Sequence, residues 1–212
     1  MKINVLLAPN YMEIYRNHFK DSVPEDLEIV EHYVDISNDV KYLDFNYFEV
    51  LRSRLEIVIE SLRENTNEIE IWSDTDIVFN PNNEEKLSEL IPKWMGSKNF
   101  IFQRLHAEDS YICSGFYAVK KNERSLEFLE FVYEIMERHP NLYPDEKVIN
   151  EIFRRQKEKW GDCLEYFPCR KIAAESNKGL VEKSDETILY HANRDYKSIQ
   201  AKKERLSNID WG

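Results

Sequence analysis

Glycine is scarce in this chain: 212 residues contain five, Gly96, Gly115, Gly161, Gly179 and Gly212, and none lies within fifteen residues of the next. That spacing excludes the P-loop and the G-x-G-x-x-G turn, the two common glycine-rich cradles for phosphate. A nucleotide bound here needs another counter-charge, and a divalent metal held by carboxylates supplies it. Basic residues are also under-supplied. There are 29 Lys and Arg against 40 Asp and Glu, a formal charge of 29 − 40 = −11. A nucleic-acid partner is excluded on that ground, because phosphate contacts would be made against the protein's own field. Cysteine is limited to Cys113, Cys163 and Cys169, an odd count without C-x-x-C spacing. Neither a disulfide framework nor a zinc knuckle is indicated, and a reducing compartment, the cytoplasm, is expected. Long apolar runs are missing too. The longest early one, Val5 to Pro9, is far short of the roughly 20 residues that span a bilayer, and no secretion signal precedes it. No membrane segment is expected.

What is present is core-forming, with 42% hydrophobic and 13% aromatic residues spread from Phe19 to Trp211. The length fits one domain. Ile3 to Leu7 reads as a buried strand running into the loop Ala8, Pro9, Asn10, Tyr11, and Leu27 to Val34 reads as a second strand. Phe45, Phe48, Leu51, Leu55, Val58, Ile59 and Leu62 recur at three and four, predicting an amphipathic helix over 45–64. Ile69 to Trp72 forms a strand that stops at Ser73-Asp74-Thr75-Asp76. Asn82, Asn83, Glu84 and Glu85 have the chemistry of a helix start, predicting a helix from there to about Trp94. Strands at 100–102 and 115–119 follow, then helices at 123–138 and 145–159, a strand over 188–190 and a charged helix near 195–206. Strands alternating with helices predict an α/β fold with a mostly parallel central sheet.

Asp74 and Asp76 stand two apart beyond the end of a strand. Ligands of open α/β sheets bind outside the carboxyl ends of the strands, and two carboxylates around one turn can hold a hard cation with positions left for a diphosphate. A plain turn, with Asp and Ser as local caps, explains a bare D-x-D about as well. Asp76 is expected on a solvent-facing loop.

The stretch Ile71-Trp72-Ser73-Asp74-Thr75-Asp76-Ile77-Val78-Phe79 resembles the D-x-D segment of GT-A glycosyltransferases, specifically the nucleotide-diphospho-sugar transferase family. Five further segments fall in that family's order. Phe102-Gln103-Arg104, Cys113-Ser114-Gly115-Phe116-Tyr117 and Asn122-Glu123-Arg124-Ser125 resemble its "Q-R … N-T-G-F … R-S" block, with Cys-Ser in place of Asn-Thr. The run Pro144-Asp145-Glu146-Lys147-Val148-Ile149-Asn150 resembles its "D-Q-x-x-x-N" helix start, and His191-Ala192-Asn193 is similar to its "H-x-N" metal segment. A weaker resemblance is to glycosyltransferase domains of large algal DNA viruses that decorate capsid protein, which implies the host cytoplasm.

The resemblance implies a single GT-A (Rossmann-like) domain, its nucleotide-binding half about 1–80 and its acceptor half about 81–212. It implies transfer of a hexosyl group from a UDP-sugar to a glycan or glycoprotein hydroxyl, with retention favoured over inversion, aided by Mn²⁺ or Mg²⁺. Asp76 would bind the cation, Asp74 the ribose or sugar and the metal as well, and His191 would complete a mixed oxygen and nitrogen set. Asp145 and Gln103 take catalytic positions, and Ser114 and Gly115 line the donor. Ala8, Pro9, Asn10 and Tyr11 would hold the base, with Tyr11 stacking on uracil. Lys197 would meet the leaving diphosphate, and one of Arg52 and Arg54 would face the nucleotide. Plainer roles compete for several of these. His191 and Tyr11 can be packing residues, and Asp145 can be the N-cap of its helix. Arg52 is placed to pair with Glu56 at i,i+4. Lys197 can belong, with Lys202, Lys203 and Arg205, to a solvated basic face. Two other classes fit the local motif: a haloacid-dehalogenase-like phosphatase, whose D-x-D-x-[TV] nucleophile matches Asp74 to Val78, and a non-catalytic α/β interaction domain.

Overall fold

The computed structural model describes residues 1–35, 45–64, 68–105, 111–140, 142–176, 179–181, 184–193 and 198–211. Strand β1 (Lys2–Leu7) leads into a run of short helical turns: a 3-10 turn (Pro9–Tyr11), α1 (Met12–Ile14), a π turn (Tyr15–Phe19) and a second 3-10 turn (Lys20–Ser22). Then come β2 (Glu28–Tyr33), α2 (Phe45–Arg63), β3 (Ile69–Ser73), β4 (Ile77–Phe79), α3 (Leu87–Met95), β5 (Phe100–Arg104) and β6 (Ile112–Lys120). The remainder is α4 (Glu123–Arg138), α5 (Asp145–Arg155), α6 (Lys157–Trp160), β7 (Leu164–Tyr166), β8 (Ile172–Ser176), β9 (Gly179–Val181), β10 (Leu189–His191) and α7 (Ile199–Ser207).

A six-stranded sheet in the order β2-β1-β3-β6-β5-β7 is the centre of the fold. Its strands run one way except β6, which is antiparallel to both β3 and β5. The mostly parallel sheet expected from the alternation of elements is what forms. Period-two alternation along the strands feeds two cores. Trp72, Phe100, Phe102, Tyr117 and Val119 face α2, α4 and α5, packing on Leu55, Val58, Phe128, Val132 and Ile149. Ile71, Ile101, Phe116 and Ala118 face the other way, onto Phe19, Phe79, Leu87 and Ile91.

A second, four-stranded sheet in the order β4-β10-β8-β9 lies beyond β3. Of its members, only the strand near 188–190 was expected. Three-residue strands such as β4 carry too little pattern to announce themselves. Helix α3 also starts later than its sequence suggests. Asn80 and Asn83 spend their side chains on Asx turns, accepting from the N–H of Asn82 and Glu85, so the helix begins at Leu87. The helix expected over 145–159 is interrupted at Gln156, whose backbone (φ −122°, ψ 39°) leaves the α region and separates α5 from α6.

Candidate functional site

The chain leaves one sheet for the other at the D-x-D segment. Asp74 N–H donates to Gly115 O at 2.7 Å, extending the β3–β6 ladder by one residue. Three residues later β4 begins, and β10 pairs with it antiparallel so that His191 stands opposite Ile77. Ala192 N–H donates to Asp76 O at 2.9 Å. This register is what carries His191 across the sequence to Asp76. Ligand atoms of Asp74, Asp76 and His191 all lie within 4.8 Å of one another. His191 Nε2 is 3.3 Å from Asp76 Oδ1 and 3.9 Å from Asp74 Oδ2.

Strand β5 sets the tautomer. His191 Nδ1 is 3.0 Å from Gln103 Oε1, and a carbonyl oxygen only accepts, so Nδ1 carries the proton. The Nε2 lone pair therefore points at the two carboxylates, an arrangement that repels unless a cation lies between them. The β5–β6 register helps to shape the site from the other side. It jumps from Phe102↔Tyr117 to Gln103↔Cys113, leaving Ser114, Gly115 and Phe116 without a partner in β5. Such bulges re-aim residues beside functional sites. A Cβ on Gly115 would lie 2.3 Å from His191 Cε1 and 2.8 Å from Asp74 Oδ2, so only glycine fits. The donor set, the tautomer and this close approach together fit a hard divalent cation held by two carboxylates and an imidazole.

Behind the triad is a buried ion-pair network. Arg54, on α2, donates from Nη1 to Asp74 Oδ1 at 2.8 Å and from Nη2 to Ser114 Oγ at 3.1 Å and to Asp145 Oδ2. Asp145 also accepts from the Glu146 N–H at 2.8 Å and from Ser114 Oγ at 3.3 Å. Burial alone would lower the Arg54 pKa, but Asp145 and Asp74 outweigh it and hold the guanidinium charged. Burial pushes Asp74 upward, opposed by Arg54 and reinforced by Asp76. Asp76 is different: burial would raise it, yet the Lys202 ammonium against its carboxylate holds it below the usual carboxylate range.

Several expectations are placed or corrected by this geometry. Asp74, Asp76, His191, Gln103, Ser114, Gly115, Asp145 and Arg54 converge on one spot. Asp76 is not on a solvent-facing loop; it is 3% exposed, because β10 and α7 cover it. Between the two arginines, Arg54 enters the site, while Arg52 pairs with Glu49 on its own helix rather than with Glu56. Asp145 is not an N-cap, since Pro144 holds that position and Asp145 is the first residue of α5. Tyr11 closes the 3-10 turn after β1 with its ring 5.7 Å from the Lys202 ammonium, Pro9 and Asn10 make up the rest of that turn, and Ala8 caps it. Lys197 lies outside the described residues.

Two residues escaped the sequence reading. Lys202 is no part of a solvated face: its side chain is 12% exposed and its ammonium pairs with Asp76 Oδ2. The signal was there, since Ile199, Lys202 and Leu206 share the i, i+3, i+7 stripe that α7 turns inward. Glu146, where the family pattern has Gln, lies against the Ser114 backbone and the Cys113 thiol, and burial reinforced by Asp145 raises its pKa to about 7.

Among solved structures, the chain is similar to a glycosyltransferase involved in glycosylation of the major capsid of PBCV-1, with TM-score 0.67 and 15% identity over 97% of this chain and 98% of that one. It is similar to the glycosyltransferase GlyE of Streptococcus pneumoniae TIGR4, with TM-score 0.58 and 12% identity over 99% of this chain and 60% of that one. A third likeness is to the galactosyltransferase LgtC in complex with donor and acceptor sugar analogues, at TM-score 0.55 and 11% identity over 99% and 96% of the two chains. At these identities the likeness establishes the GT-A fold. No curated protein matches the sequence. A profile of nucleotide-diphospho-sugar transferases, however, matches residues 20–206, nearly the whole chain. On that match, and with the fold in agreement, the chain belongs to the nucleotide-diphospho-sugar transferase family.

Proposed function

We propose that the protein is a metal-dependent glycosyltransferase that moves a hexosyl group from a UDP-sugar to a hydroxyl of a glycan or glycoprotein. The observation that carries this reading is the Asp74, Asp76 and His191 triad, with ligand atoms within 4.8 Å of one another and an imidazole lone pair turned inward by Gln103. In the transfer, the bond from the anomeric carbon to the diphosphate breaks, a bond to the acceptor oxygen forms and the acceptor proton is lost. Retention of configuration is the outcome we favour.

Charge supports the assignment of the metal. Asp74, Asp76 and Asp145 against Arg54 and Lys202 leave 3 − 2 = 1 negative charge, which would repel a diphosphate. A divalent cation reverses the sign. When bound, Mn²⁺ or Mg²⁺ would neutralise charge developing on the departing diphosphate. Asp74, Asp76 and His191 hold it. Asp145, fixed by Arg54 and Ser114, presents its carboxylate to the sugar hydroxyls, and Gln103 orients His191. Tyr11 stacks on the base, with Ala8, Pro9 and Asn10 beside it. Lys197 contributes to the diphosphate from the segment after His191. This reading assigns the nucleotide chiefly to residues 1–80 and the acceptor to the remainder. The fold shared with the PBCV-1 capsid glycosyltransferase supports a capsid glycan as acceptor, in the host cytoplasm. Among the described residues no helix is long and apolar enough to cross a membrane.

The family match favours this reading over a phosphatase that uses the same two aspartates. Calorimetric titration with UDP tests it. Binding should require Mn²⁺ or Mg²⁺, disappear in EDTA and fall at least about 10-fold in Asp76→Asn, by analogy with losses at other supported metal sites. Wild-type affinity in that variant would remove the metal site. Turnover of a UDP-sugar should release UDP, and release of inorganic phosphate would favour the phosphatase.

A further inference from the structure

We infer that Lys202 is a further cationic ligand for the donor diphosphate, acting beside the metal and not in its place; this rests on the functional reading above. The division of labour at Asp76 is the starting point. Its Oδ1 faces His191 Nε2 at 3.3 Å, on the side shared with Asp74, and its Oδ2 takes the Lys202 ammonium. A carboxylate with one oxygen turned to each partner can keep both at once. Lys202 therefore leaves the inward oxygen to the cation and fixes the direction in which it points.

An ammonium has three donors. Among the described residues, Asp76 is the hydrogen-bond acceptor that Lys202 reaches, which leaves two donors for a ligand. The group also lies 5.7 Å from the ring centre of Tyr11, in the turn that follows β1. It thus stands between the metal triad and the segment assigned to the base, and a nucleoside diphosphate joins those two places through its phosphates.

The helix that carries Lys202 is anchored. Ser198 caps α7 by accepting from Ala201 N–H at 3.1 Å, and Leu206 is buried with Ile14, Tyr190 and Ala192. The neighbouring Lys203 pairs with Glu13 on α1.

The test exploits effects of opposite sign. Lys202→Met removes a positive charge next to the metal, so Mn²⁺ alone should bind as tightly as in wild type or more tightly. At saturating Mn²⁺ the same variant should bind UDP about 10- to 100-fold more weakly, the loss expected for a charge-assisted hydrogen bond. Lys202→Arg should recover most of the UDP affinity, and melting curves confirm that each variant folds. UDP affinity within twofold of wild type in Lys202→Met overturns the inference. So does a parallel loss of Mn²⁺ and UDP, which would mark a purely structural pair. Wild-type protein that binds neither probe overturns the functional reading instead.

Discussion

Gly115 decides more about the site than its missing side chain suggests. It is a β-strand residue with ordinary backbone, so it is there for space and not for conformation. A methyl group at this position would collide with the His191 ring and the Asp74 carboxylate. Neither neighbour can retreat cheaply, because Gln103 holds the ring and Arg54 holds the carboxylate. Gly115→Ala should therefore weaken Mn²⁺ binding by about 10- to 100-fold, the range seen when the supports of a metal ligand are disturbed. Isothermal titration with Mn²⁺ measures this directly, and unchanged affinity would mean that the ring moves aside freely. Removing Asp145 or Arg54 is a poorer probe. Both are buried, and stranding one partner of a buried pair costs about 3–5 kcal/mol of stability.

Helix α5 brings two adjacent carboxyl groups to the site in its first turn. A helix N-terminus favours negative charge, typically by 0.3–1 kcal/mol or about that. For Asp145 the Arg54 guanidinium adds to this. For Glu146 burial wins, aided by repulsion from Asp145, and the pKa rises from 4.5 to about 7. A carboxyl whose folded pKa is raised stabilises the fold when protonated. Its contribution is fully present below pH 4.5 and is lost as pH rises through about 7. Metal-free wild-type protein should then lose stability relative to Glu146→Gln across that window, because the amide does not titrate. Parallel melting temperatures for the two proteins at pH 4.5 and 7.5 would contradict the raised pKa. Legibility in the sequence also varies by element. Long elements with many periodic positions, such as α2 and α4, stood where their apolar spacing put them. Strand β4 did not, because three residues carry almost no period. Lys202 was misread for a related reason: one charged residue on an apolar stripe looks like a member of the basic run around it until its partner is known.

For the whole molecule, the fold class and the grouping of most candidate site residues were legible, since six short motifs in a fixed order constrain a topology far more than any one constrains a fold. What could not be read was how the second sheet meets the first, which depends on the pairing of β10 with β4. That junction has a mechanical meaning. Asp74 extends from the large sheet, His191 belongs to the small one, and Asp76 is the last residue before the chain enters the small one. The proposed cation, held by all three, would be a rivet through the seam. Its removal should loosen the seam as well as empty the site: at metal a hundredfold above Kd, binding stabilises by about 2.7 kcal/mol. For a chain of this size that is a fall of roughly 5 to 10 °C in melting temperature on chelation. Proteolysis should then begin at the small sheet, so that under the proposed metal-dependent function the chelator that stops the chemistry would also mark the protein for degradation from that edge.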